Sequence, residues 1–81
     1  MKIRLTSSGK KDYDSLPPSI VRAADKQLAL LRKNIRHPSL HAKKYNEARN
    51  VWQARVNKQW RLYFTIELDI YWIVRIIPHP K

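Results

Sequence analysis

Cysteine is absent from the 81 residues, so neither disulfides nor thiolate metal sites are available, which fits a cytoplasmic protein. Glycine occurs once and no segment is of low complexity, which leaves no linker, second domain or internal repeat; residues 1–81 read as a single domain. No apolar run approaches about 18 residues and the N-terminus carries no signal-peptide pattern, so neither a membrane span nor export is expected. Acidic residues are few, 6 against 17 Lys plus Arg, and the formal net charge of +11 with a pI near 10.5 points to a polyanionic or acidic partner. The three histidines, His37, His41 and His79, are too scattered for a metal motif, and neither metal nor cofactor is expected.

What the sequence does have is alternation. From Val51 to Ile77 the even positions run Trp52, Ala54, Val56, Trp60, Leu62, Phe64, Ile66, Ile70, Trp72, Val74 and Ile76. The odd positions include Gln53, Arg55, Asn57, Arg61, Tyr63, Thr65, Glu67, Tyr71 and Arg75. Side chains alternate across a strand, so this is a sheet with one core face, holding all three tryptophans, and one chemically loaded face. Closing the first hairpin over Asn57-Lys58-Gln59 sets Arg55 opposite Arg61. In the second, a loop through Glu67-Leu68-Asp69 sets Arg61 opposite Arg75, and a loop one residue later sets Tyr63 there. In either register the guanidinium groups are expected to converge. Like charges directly opposite are destabilising where good cross-strand pairs contribute roughly 0.2–1 kcal/mol, so an anionic ligand is the simplest reason to tolerate them.

The N-terminal half has other periods. Lys2 to Thr6 reads as a short strand, and Ser7 or Ser8 can cap a helical segment to about Leu16. A second helix starting at Pro18 or Ser19 runs to about Asn34, with Ile20, Ala24, Leu28, Leu31 and Ile35 as its apolar stripe. That stripe needs a partner, and the even sheet face supplies it. The expected fold is α+β: an N-terminal strand, two helices, then a three-stranded antiparallel meander with the helices packed on one sheet face. Arg36 to Tyr45 reads as a loop leading into a short extended piece that delivers Lys43 and Lys44 to the sheet entrance.

His37-Pro-Ser-Leu, Lys43-Lys44, Trp52-Gln-Ala-Arg55-Val-Asn, Trp60-Arg61-Leu-Tyr-Phe and Val74-Arg75-Ile-Ile-Pro-His79, in this order and spacing, resemble the RelE/ParE superfamily of bacterial type II toxins. The opening strand, two helices and length extend the resemblance to nearly the whole chain. It implies a single RelE-like domain and an mRNA interferase: a metal-independent endoribonuclease, held inactive by a cognate antitoxin in a hetero-oligomer, that cuts mRNA, in many members on the ribosome. The ribose 2′-OH attacks the adjacent phosphate, whose transition state gains negative charge and needs fixed cationic donors plus a general acid and base.

By that resemblance Arg61 is the central phosphate clamp, with Arg55 and Arg75 beside it. Read as plain sequence, Arg61 could instead solubilise an exposed face or pair with Glu67 or Glu47. His79 is the natural proton carrier because imidazole titrates near neutrality, although a residue so close to the end could equally be an idle tail histidine. Lys43 and Lys44 would hold RNA phosphates or be ordinary loop lysines. Tyr63, with Tyr71, could stack on a base or simply pack the strand; Glu47 is a further candidate base. Many active members continue into a tail with another aromatic or basic residue, where this sequence has only Pro80-Lys81 after His79. Two other readings follow: a ParE-like toxin that binds DNA gyrase without hydrolytic chemistry, and an inactive basic module that binds an acidic antitoxin.

Overall fold

The computed structural model describes residues 1–79. Its elements run β1 (Lys2–Leu5), α1 (Ser7–Asp14), α2 (Pro18–Lys33), a 3₁₀ turn (Pro38–Leu40), β2 (Lys43–Asn46), β3 (Val51–Arg55), β4 (Trp60–Glu67) and β5 (Ile70–Pro78). Thr6, rather than either serine, caps α1: its hydroxyl accepts the Gly9 N–H at 3.1 Å and donates to the Ile73 carbonyl at 3.2 Å. α2 begins on Pro18, whose missing N–H costs nothing in a first turn, and ends at Asn34 in an extended conformation.

The five strands lie in the order β1-β5-β4-β3-β2, with β2 to β5 an antiparallel meander and β1 parallel to β5. The short extended piece before the sheet is thus itself a strand, which makes the meander four-stranded. The helices cover one face, where Phe64, Leu31, Leu40, Leu62, Ile73 and Ile76 are the largest side chains fully buried. At roughly 1.5–3 kcal/mol for each such side chain, this core easily outweighs a strained charge pair on the open face.

The first hairpin has the register that alternation predicts, with Arg55 opposite Arg61. The second keeps one of its two expected pairings, Tyr63 opposite Arg75, but reaches it through a different turn and a bulge. Glu67 pairs with Ile70 around a two-residue turn in which Leu68 adopts φ 53°, and between the Phe64–Ile73 and Tyr63–Arg75 pairs Val74 is an extra residue on β5. The bulge reverses the facing of the strand before it. Tyr71 and Ile73 therefore enter the core, and Trp72, expected there by parity, stands opposite Thr65 on the open face.

Helix α1 seats against this bulge. A Cβ built on Gly9 would come within 2.1 Å of the Ile73 carbonyl oxygen, so only glycine allows the approach. One turn on, Asp12 accepts the Ile76 N–H at 3.0 Å and the Arg75 Nε–H at 2.6 Å.

Candidate active site

The cationic site is built on the turn between β3 and β4. The Asn57 side-chain oxygen accepts the N–H groups of Gln59 and Trp60, both at 2.8 Å, and so folds the turn back over the start of β4. Three carbonyls are thereby presented to Arg61, whose Nη1 donates to Asn57 at 2.6 Å, Trp60 at 3.0 Å and Lys58 at 3.3 Å. Arg61 is only 8% exposed. It is neither a solubilising surface residue nor a partner of Glu67 or Glu47; Glu47 lies 3.8 Å from Lys44 instead.

Carbonyls position a guanidinium without cancelling its charge. Burial, followed by the like charge of Arg55, lowers the Arg61 pKa from its usual value. Nε and Nη2 of Arg61 take no hydrogen-bond partner among the described residues, and the Nε of Arg55 is buried without one. Unmet donors on two facing arginines leave an anion-shaped demand.

A cleft of about 330 Å³ opens over the pair, lined by Arg55, Arg61, Lys43, Gln53, His41 and Ala42. Gln27, buried on α2, holds one wall by donating to the carbonyls of Arg55 at 2.8 Å and Ser39 at 3.1 Å. His41 follows the 3₁₀ turn in a left-handed conformation, φ 47°, its N–H donating to the Pro38 carbonyl. Neither His41 nor Gln27 stood out in the sequence. A left-handed histidine and a glutamine on the apolar side of a helix carry no local signal of proximity to arginines 14 to 34 residues away.

Other candidates are dispersed. Arg75 does not join Arg55 and Arg61: it stands opposite Tyr63, and Asp12 from α1 neutralises it. Lys43 and Lys44 point to opposite faces, as neighbours on a strand must. Lys43 reaches the cleft, while Lys44 lies 5.3 Å over the Trp52 ring on the helix side and donates to Asn50. Tyr63 is 6% exposed beneath Tyr45, their ring centroids 4.9 Å apart, and the exposed ring of that pair belongs to Tyr45. Burial, then Tyr45, raises the Tyr63 pKa, only partly offset by Arg61, which keeps the phenol protonated at neutral pH. His79 is exposed and lies beside the turn that holds Arg61, its N–H donating to the Gln59 carbonyl at 2.6 Å. Pro80 and Lys81 lie outside the described residues.

This architecture is the fold of the small RelE, YoeB and ParE toxins of toxin–antitoxin systems. The YoeB/ParE toxin from Agrobacterium tumefaciens superposes with a TM-score of 0.82 at 13% identity, covering 99% of this chain and 100% of that one. A chain of the RelBE2 toxin–antitoxin complex from Mycobacterium tuberculosis gives 0.77 at 22% identity, covering 96% of each. The heterotetrameric YoeB-YefM complex from Staphylococcus aureus gives 0.78 at 16% identity over 99% of this chain and 98% of that one. No protein-family model and no curated protein matches the sequence.

Proposed function

We propose that this chain is a RelE/ParE-superfamily toxin of the ribonuclease branch, which cleaves mRNA on the ribosome and is restrained by a cognate antitoxin. The observation that carries the reading is Arg61: buried, fixed by three carbonyls, without a carboxylate partner among the described residues, and opposite Arg55 beneath a shared cleft. A phosphodiester in that cleft supplies the missing acceptors. As the 2′-OH attacks phosphorus and the bond to the 5′-oxygen breaks, the extra negative charge falls to the free donors of Arg61 and Arg55, with Lys43 on the adjoining phosphate. The nucleophile comes from the substrate, so the step needs no metal. His41 on the cleft wall takes the 2′-OH proton, and His79 beside the turn delivers one to the departing oxygen. The exposed Tyr45 ring, resting on Tyr63, gives a neighbouring base a surface to stack on. An antitoxin that silences this site carries carboxylates over Arg55 and Arg61, in keeping with the +11 charge.

A second reading, a gyrase-binding toxin without hydrolytic chemistry, is favoured by one observation: no carboxylate lines the cleft among the described residues. Translation with ribosomes and a defined message separates the two. Codon-positioned cleavage that disappears in Arg61→Ala is expected. Absence of cleavage, with gyrase-linked DNA breaks accumulating instead, overturns the ribonuclease.

A further inference from the structure

The other concentration of charge lies on the far side of the molecule. Arg22, Lys26 and Lys33 recur at helical spacing along the outer face of α2, with Ala29 the one uncharged position between them, and Arg32 and Arg36 flank the row. All five cations are exposed, and among the described residues none has an ion-pair partner, whereas Lys10, Lys44 and Arg75 each do. Asp25, the acid on this side, is engaged by the Tyr13 hydroxyl at 2.7 Å. Like charges four apart on a helix, such as Arg22 and Lys26, are unfavourable. The opposite stripe of α2, with Ala24, Gln27 and Leu31, is buried against the sheet, so the row points away from the cleft.

We infer that this row docks on the phosphate backbone of a folded RNA, a second nucleic-acid contact separate from the strand held at Arg61. From Arg22 to Lys33 the row extends about 16 Å along the helix, an extended line of charge rather than a point site. Protein partners are anchored by apolar and aromatic side chains buried at the centre of an interface, and Ala29 is all this row offers. Phosphate contacts need only charge and confer position without sequence. The inference rests on the ribonuclease reading for its choice of RNA. Under it, the open sheet face takes the strand to be cut and α2 grips the structured RNA in which that strand is presented.

The test is fluorescence anisotropy with a labelled RNA hairpin and, separately, a short single-stranded RNA. Wild type, the triple variant Arg22→Gln/Lys26→Gln/Lys33→Gln, and Arg61→Ala are compared from about 50 to about 300 mM salt, over which the Debye length falls from about 14 to about 6 Å. The triple variant is expected to bind the hairpin about tenfold or more weakly at low salt, with a salt slope shallower by about two to three, and to bind the single strand like wild type. Unchanged hairpin affinity and slope overturn the inference, as does a variant that keeps the hairpin but loses a poly-glutamate peptide, which assigns the row to an acidic protein. If the triple variant fails to fold, as judged by circular dichroism, Lys26→Gln alone is expected to reduce the slope by about one, and no reduction overturns the inference. Arg61→Ala reports on the cleft independently: retention of single-strand binding there counts against the ribonuclease reading while leaving the hairpin result to stand or fall alone.

Discussion

Arg61 and Arg75 rise from the same face of neighbouring strands and end in opposite electrostatic states. Arg75 meets a carboxylate, and its hydrogen bond to Asp12 raises its pKa; Arg61 meets carbonyls, and burial with Arg55 nearby lowers its own. The first arrangement ties a helix to a sheet. The second uses one nitrogen for position and leaves the remaining donors without a partner among the described residues. A counter-charge thus separates a structural cation from one that, under the proposed function, is kept for a substrate. The comparison predicts its own largest effect: Arg61→Lys, which has a single nitrogen for both duties, lowers the mRNA cleavage rate by about 100-fold or more. Arg75→Ala is expected to stay within about threefold of wild type in the same ribosome assay, its cost appearing as stability. Equal losses in the two variants would break the distinction.

The Asp12–Arg75 pair exists only because α1 can approach β5 closely, and Gly9 permits that approach. Gly9→Ala places a methyl group inside the contact distance of a backbone carbonyl that cannot retreat without disturbing the bulge. A destabilisation of about 2–3 kcal/mol is expected from such overpacking, or a melting temperature lower by roughly 10–20 °C for a domain of this size. Arg61, held by its own turn, is expected to be affected less than Arg75, which loses its partner. Thermal denaturation measures the first effect. A Gly9→Ala protein that melts with wild type would show that the helix seats elsewhere.

The same contrast explains what the sequence made legible. Arg55 opposite Arg61 was readable because β3 and β4 alternate cleanly and a three-residue turn fits between them. In β5 the run Ile70-Tyr-Trp-Ile-Val-Arg-Ile-Ile is apolar at both parities. Alternation therefore could not specify its register, and a bulge at Val74 could reverse Tyr71 and Trp72 unannounced. The turn hid for a similar reason, since Leu68 at positive φ is a residue no turn rule favours. The arrangement of strand, helices and meander survived because it depends on how many faces are apolar, not on register. Arg75 was mislaid because its fate depended on Asp12, 63 residues away, and Gln27 and His41 entered the site through long-range packing in the same way.

The smallest expected effect sharpens the comparison through pH. Burial alone would raise the Asp12 pKa, but the hydrogen bonds from Arg75 and the Ile76 N–H outweigh it and hold the carboxyl below its usual range. A carboxylate depressed in the folded state contributes stability that is present above the unfolded pKa, about 3.9 for Asp, and lost as pH falls through the lower folded value. Asp12→Asn keeps an acceptor for Ile76 and removes the charge. It is therefore expected to cost about 1 kcal/mol at neutral pH, in the range of a partly exposed ion pair with a charged hydrogen bond. The difference from wild type should shrink below about pH 4 as the native carboxyl gains its own proton. Urea denaturation of both proteins from pH 7 to pH 3 measures this. A gap that stays constant with pH would mean that the charge of Asp12 does not contribute to it, and that Arg75 is no better neutralised than Arg61.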